Sequence, residues 1–425
     1  MVHKIFNAES MSENGKRIIF IIPDYSYTTL KMLRIFESLG YNITIASSYK
    51  FGILLNFILH LPLKKTTLFS KILRRQHDWL LNKPKNYKII SCSFIHLLKQ
   101  VYLERKINNS FTNTLRNIIQ SDVLKKINFN NYDYVYAFDT CALPFFNKAI
   151  EFNVKTILEY RGTEIDFVLN LNEQLNLKYG LNLDSTKNHN RREGLTNWYN
   201  KIRTEPKLAD ILVVYSAFQK SQFNHSNTIK IPIASKFKKT TKIKSFHNNK
   251  LKFLFTGRVV YTKGIKVLLD AWEELNIKYG EDKFELNIVG STVKNTENLM
   301  KKLPNNIIYH HYLFDAELRR MFDECHVLIH PTFFESFGMV IMEAMSYNMP
   351  IITTKNCGAA EYIVDGKTGY LYEDVFSSKE LAQKLEHFIL NPEMVEIMSK
   401  NTSQLTAISK DEIATYSANQ FKNIL

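Results

Sequence analysis

One stretch limits the folds open to this 425-residue chain more than any other: PTFFESFGMVIMEAM, residues 331–345. A short apolar run, Val327-Leu328-Ile329-His330, precedes it and reads as a strand stopped at Pro331. Glu335, Ser336, Phe337 and Gly338 form a loop, and Met339 to Tyr347 are good helix formers. The pattern is a strand, a tight glycine-bearing turn, and a helix whose N-terminus points out of a sheet. Free amides and the positive dipole end make such a terminus an anion site, and Gly338 lets the backbone approach a phosphate. Glu343 lies in a strongly apolar turn, where an unpartnered carboxylate is costly and a ligand offering hydroxyls relieves the cost. On spacing alone, Glu335 capping the helix and Glu343 reaching out to water is an equal alternative.

A second strand-to-helix connection lies upstream. Leu251 to Phe255 is an apolar strand, Thr256-Gly257-Arg258 follows, and Tyr261-Thr262-Lys263-Gly264 opens a helix over Ile265 to Leu275. Arg258 and Lys263 sit five apart on this connection, where parallel strand ends collect ligands. A guanidinium fork and a flexible ammonium can together grip a pyrophosphate, although either alone is more often plain surface charge. Downstream, Pro350 to Thr354 is another strand, and Gly358-Ala359-Ala360-Glu361 another small-residue turn opening a helix. Val364 to Leu371 is a turn into a last strand.

The run G-R-x4-K-G, then HPTFFESFGMVIMEAM, then PIITTKNCGAAEYIVDGKTGYLYE resembles the C-terminal half of retaining, nucleotide-sugar-dependent glycosyltransferases of the GT-B fold, family 4 type. The likeness covers roughly residues 250 to 390, and its combination of motifs is specific. It implies an α/β architecture of two Rossmann-like domains, with parallel sheets facing across a cleft. It assigns Arg258 and Lys263, on the Gly257 turn, to the donor diphosphate, and Glu335 to the sugar hydroxyls. Ser336 and the backbone of Phe337, Gly338 and Met339 go to sugar and phosphate, and Glu343 to the nucleotide ribose. Arg258, Lys263 and Glu335 are the catalytic candidates.

The length suits two α/β domains better than one core. They are expected over residues 16–235 and 250–405, with 406–425 a helix that the resemblance returns to the first domain. Arg17 to Ile22 is a buried parallel-strand pattern, Thr28 to Leu39 a helix and Tyr41 to Ala46 a strand, which completes a βαβ unit. Relatives often carry a Gly-Gly pair in the first loop. This chain has Pro23-Asp24-Tyr25-Ser26-Tyr27, so Asp24 and Tyr25 are acceptor-side candidates. The strand Tyr132 to Phe138 ends at Asp139-Thr140, and Val154 to Tyr160 ends at Arg161-Gly162-Thr163-Glu164. Relatives often place His-Gly or His-Asp at that second turn, so no catalytic His carries over. Asp139, Arg161 and Glu164 join the acceptor-side set, with Asp166 beside them, and a local Arg161–Glu164 pair is the structural alternative. Residues 170–190 are Asn-rich and read as a mobile excursion, and Ala234 to Lys250 as a linker.

Residues 50–126 hold fifteen Lys or Arg against three acids, most of the formal net charge of +15. Phe51 to Leu61 adds a cluster of large apolar residues beside Lys64 and Lys65, a mixture suited to an anionic headgroup layer. A solvated basic face over an ordinary helix is the alternative. No nucleic-acid motif accompanies the charge, so nucleic acid is not expected as a partner. The longest apolar run, Phe51 to Leu63, is too short to span a bilayer, and the N-terminus lacks an export region. Cys92, Cys141, Cys325 and Cys357 are scattered without metal spacing, and they suit a reducing cytoplasm. The histidines show no ligand spacing either, so no metal and no cofactor is expected.

The reading is a sugar transferase using a nucleotide-sugar donor and a glycan or lipid-linked acceptor in bacterial surface polysaccharide or lipopolysaccharide synthesis. It would be cytoplasmic, with room for a peripheral place on the membrane. Two rivals are a nucleotide-sugar epimerase on the same fold and a catalytically inactive sugar-nucleotide-binding protein. The second would typically have lost Arg258, Lys263, Glu335 or Glu343.

Overall fold

The computed structural model describes residues 15–22, 27–47, 83–91, 120–184, 193–247, 250–405 and 410–425. Asp24, Tyr25, Cys92 and most of the basic segment 50–126 lie outside the described residues.

Two parallel sheets organise the chain. The first contains β1 (Arg17–Ile22), β2 (Asn42–Ser47), β3 (Tyr87–Ser91), β4 (Tyr134–Phe138), β5 (Lys155–Glu159), β6 (Ile211–Val214) and β7 (Thr228–Lys230). Their order is β3-β2-β1-β4-β5-β6-β7. The second contains β8 (Leu251–Thr256), β9 (Phe284–Val289), β10 (Ile307–His310), β11 (Val327–His330), β12 (Ile351–Thr354) and β13 (Gly369–Tyr372), in the order β10-β9-β8-β11-β12-β13. Winding reverses between β1 and β4, and again between β8 and β11. Doubly wound sheets open a crevice at such points, beyond the C-terminal ends of the strands. Continuous apolar runs explain the strands: Ile18 to Ile22 are all buried, as a parallel strand covered on both faces requires.

Aromatic residues fill both cores. Phe20 stacks on Tyr136 at 4.6 Å with Phe36 edge-on to Phe20 at 5.4 Å. In the second half Trp272 packs between Phe253 and Phe284, its indole N–H donating to Asn306 Oδ1 at 3.1 Å. A buried Trp normally finds such a partner.

The helices are α1 (Tyr27–Ser38), α2 (Leu143–Glu151), α3 (Ile165–Tyr179), α4 (Glu193–Thr204), α5 (Ala217–Lys220), α6 (Ile265–Tyr279), α7 (Asp315–Glu324), α8 (Met339–Ser346), α9 (Ser378–Leu390), α10 (Met394–Gln404) and α11 (Lys410–Lys422). Two of them correct the sequence reading or extend it. The Asn-rich stretch expected as a mobile excursion is helical as far as Tyr179, because Leu171 and Leu175 of α3 bury themselves in the second core. At the other end of the chain, Phe421 of α11 is buried in the first core against Phe36, 4.7 Å away. Lys16 Nζ donates to the Leu425 carbonyl at 2.6 Å.

The stretch read as a linker is packed rather than free. Phe237 and Lys244 are buried, and Lys244 donates to the carbonyls of Phe322 and Asp323 at the end of α7. A cation there complements the negative helix terminus.

A buried carboxylate orders the mouth of the first sheet. Glu205 accepts from the backbone N–H groups of Thr140, Ala142 and Leu143 at 2.6, 2.9 and 3.1 Å, which caps the entry to α2. Burial lifts its carboxyl from 4.5 to about 7. The folded chain therefore holds this proton more tightly than the unfolded chain does. The resulting stability is complete below about pH 4.5 and is lost as pH rises through about 7. Thermal melts across that window should show stability falling with pH, with a shallower slope in Glu205→Gln. Equal slopes in the two proteins would refute the assignment.

Candidate functional site

The site forms where β8 and β11 end side by side. β8 runs into Gly257 and Arg258, then a single turn of 3-10 helix over Tyr261–Lys263, with Gly264 leading into α6. β11 runs into the 331–338 loop and α8. The two connections are tied together: Phe333 N–H donates to the Thr262 carbonyl at 3.0 Å, and the Thr332 hydroxyl reaches the same carbonyl at 3.3 Å. The loop is held on its other side by the turn after β12, through Glu335 N–H to the Asn356 carbonyl and Gly358 N–H to the Glu335 carbonyl, both 2.9 Å.

At the head of α8, Gly338 has φ +96°, and any Cβ there would collide with Cys357 Sγ. Only glycine meets both demands. Met339 starts the helix with its first amides turned toward the loop, since an initial helical turn leaves N–H groups without intrahelical partners.

Among the sequence candidates, the structure brings Lys263 and Glu335 into a direct ion pair. His330, at the end of β11, lies 3.6 Å from the same Glu335 oxygen. Burial pulls the Lys263 ammonium down to about 8, with Arg258 acting in the same direction and Cys357 opposing. Arg258 is exposed on the adjoining turn. Ser336 and Phe337 are held in place, the first by donating from its hydroxyl to the Arg161 carbonyl at 2.8 Å, the second by burial.

Glu343 departs from the expectation of an unpartnered carboxylate. It is 8 % exposed and pairs with Lys236 at 3.1 Å. Burial raises its carboxyl, and Lys236 works against the rise. Lys236 was missed because its segment reads as a polar linker, and nothing local shows that it folds onto α8.

On the opposite side, Asp139 accepts from the Arg161 backbone N–H at 3.2 Å, with the Arg161 Nε 3.5 Å away. The Arg161 guanidinium also lies over the Phe138 ring at 4.7 Å. Burial raises the Asp139 carboxyl, and Arg161 counters it. The local pair of Arg161 with Glu164 is therefore replaced by one with Asp139. Glu164 instead caps α3, accepting from Phe167 N–H at 2.8 Å, and Asp166 pairs with Arg203 at 2.6 Å. Glu164 and Asp166 thus have partners within the protein, as Asp139 and Arg161 have in each other, while Asp24 and Tyr25 lie outside the described residues.

The halves touch at this point. Ser216 Oγ donates to the Ser336 carbonyl at 2.7 Å, and Glu361 accepts from Ala217 N–H and pairs with Lys230, each at 3.0 Å. Residues after β5 and β6 thus meet residues after β11 and β12, so the C-terminal strand ends of the two sheets face each other. Ser216 and Glu361 were missed: a cap-forming Ser is visible in sequence, but the carbonyl it reaches 120 positions away is not. Among the described residues, no group of three or more His, Cys, Asp or Glu is placed to hold a metal ion, and no helix is long and apolar enough to cross a membrane.

Residues 236–405 match the family model described as glycosyl transferases group 1. Similar curated proteins include an uncharacterized 41.2 kDa protein in the cps region of Klebsiella pneumoniae, 29 % identical over 173 residues, 41 % of this chain and 43 % of that protein. The capsular polysaccharide biosynthesis glycosyltransferase CapM of Staphylococcus aureus is 29 % identical over 155 residues, 35 % and 39 % of the two chains. The match thus spans about two-fifths of the length of these relatives. Among solved structures, Anabaena Alr3699/HepE in complex with UDP and glucose superposes with a TM-score of 0.58 at 15 % identity, covering 96 % of this chain and all of that one. That likeness is one of fold. Residues 236–405 are thus similar to the glycosyl transferases group 1, and the two facing parallel sheets give the chain the GT-B fold.

Proposed function

We propose that the chain transfers a sugar from a nucleotide-sugar donor to a glycan or lipid-linked acceptor, with retention at the anomeric carbon, in bacterial surface polysaccharide synthesis. The observation that carries this reading is the Lys263–Glu335 pair at the β8–β11 crevice, beside the head of α8. One group is a cation for a diphosphate and the other a carboxylate for sugar hydroxyls. Capsule-related relatives and a UDP-bound neighbour of the same fold support it.

In this mechanism Arg258, Lys263 and the first amides of α8 absorb the charge that develops on the departing diphosphate. The acceptor hydroxyl attacks from the face that the leaving group vacates, and the leaving phosphate takes its proton. The chain supplies no nucleophile and needs no cofactor. Glu335 orients the sugar and Glu343 the ribose, sharing its charge with Lys236. Asp139 and Arg161 line the acceptor side. The basic segment 50–126 would bring the mouth of the cleft to an anionic membrane carrying the acceptor, and flotation with anionic liposomes at low salt tests that part.

Calorimetry against UDP and a panel of nucleotide sugars, followed by diphosphate release, tests the whole. Glu343→Ala should weaken UDP binding roughly 10–100-fold by removing a charged hydrogen-bond acceptor. Glu335→Ala should leave UDP affinity within about threefold and depress turnover instead. Small and equal effects from both would return the two residues to structural roles. Turnover of donor with no acceptor and no release of nucleotide would favour an epimerase.

A further inference from the structure

His330 is the residue in this site whose surroundings do not account for it. It is 3 % exposed, at the C-terminal end of β11, and neither ring nitrogen has a hydrogen-bond partner. Buried polar groups are almost always satisfied, and an orphaned one calls for a reason. Its ring lies near the Glu335 carboxylate, whose Oε2 is 3.6 Å from Nε2. That oxygen is already held by Lys263.

The arrangement is consistent for the ligand-free state and incomplete for the occupied one. A diphosphate brings at least two negative charges, and with Arg258 alongside it outcompetes a single carboxylate for the Lys263 ammonium. Glu335 would then be a half-buried anion stripped of its counter-ion, which is expensive. A closure of about 0.8 Å would bring Nε2 to the usual charge-assisted distance of about 2.8 Å. Burial and the nearby Lys263 push the imidazole well toward its neutral form, which keeps one N–H to give and adds no net charge.

Building on the donor-site reading above, we infer that His330 is a positioning residue whose Nε2–H takes over the Glu335 carboxylate when the donor draws Lys263 away, and so holds Glu335 toward the sugar. The ion pair seen here is the resting arrangement, in which the cation and the carboxylate needed for the donor neutralise each other. Binding exchanges partners: Lys263 goes to phosphate, and His330 to Glu335.

The test compares wild type, His330→Phe and His330→Gln with UDP and with whichever nucleotide sugar the wild type turns over. Phe keeps a ring of similar volume without the donor, and the Gln amide restores a donor. His330→Phe should bind UDP within about twofold of wild type, keep KM, and lose about thirtyfold in kcat, the size expected for one hydrogen bond to a charged group. His330→Gln should recover to within about fivefold. If His330→Phe keeps kcat within about twofold, or His330→Gln is as slow as Phe, the residue only fills space and the inference fails. Should His330→Phe not fold, 15N-histidine spectra of the wild type decide. Saturation with UDP must bring out a protected Nε2–H signal, and its absence overturns the exchange. A wild type that binds neither UDP nor any nucleotide sugar sinks the donor-site reading itself, a result distinct from a normal wild type with an indifferent His330→Phe.

Discussion

Replacing Lys263 with Ala is expected to cut sugar transfer by about 10²–10³-fold, the usual cost of removing one preorganised charge-stabilising group. The side chain is partly buried beside Glu335 and His330, so its field acts through less water than that of exposed Arg258. Arg258→Ala should for that reason cost less, about tenfold. Arg is not expected to rescue position 263, because a planar fork does not fit where a point charge meets a carboxylate in a closed loop. A pH effect accompanies the substitution. In the proposed reaction the ammonium must be charged, and burial pulls it down to about 8 in the free protein, so kcat/KM should fall as pH rises through about 8. Lys263→Ala should lose that alkaline limb along with its activity. Pre-steady-state diphosphate release across pH checks both, and an unchanged limb in Lys263→Ala would assign it to another group.

The second large effect is on folding. Gly264→Ala should destabilise the chain by about 3 kcal/mol or more. Gly264 has φ +72°, and a methyl group there would fall inside the Pro331 carbonyl, which is backbone and cannot swing aside. Removing the clash means separating the β8–α6 and β11–α8 connections, which would also part Lys263 from Glu335. Gly180→Ala provides the control: its φ is +62°, but the space around it is open. Only the left-handed strain of about 1–2 kcal/mol applies there. Thermal melts should separate the variants by several degrees. Equal losses would mean that contact with Pro331 contributes nothing.

Much of the second half was legible because its signals are local. Strand-to-helix connections bearing Gly257, Gly264 and Gly338 announce parallel strands with crevices at their ends, whereas the strand order of the second sheet came from the structure. What escaped the sequence acts at a distance. Lys236 pairs with Glu343 across 107 positions, and Glu205 caps a turn 62 to 65 positions upstream. His330 looked like one of several scattered histidines until its unpartnered nitrogens and its distance to Glu335 were known. Helix α3 was hidden by its composition: Leu169, Leu171 and Leu175 do the packing, while Asn172 and Asn176 bond back to Asp184 and Leu183, partners that the local sequence does not announce. Glu164 looked available for a ligand, yet a carboxylate three positions ahead of an N–H at a helix start has a nearer use.

The last helix carries one more consequence. Because Phe421 is seated in the first core and Leu425 meets Lys16, the polypeptide passes between the two lobes once after β7 and again after α10. Two bodies joined by a single thread can tumble freely, whereas two bodies joined by a pair of threads keep one easy swing, about the line through both. The two lobes are thereby fastened to each other at two points of the chain rather than one.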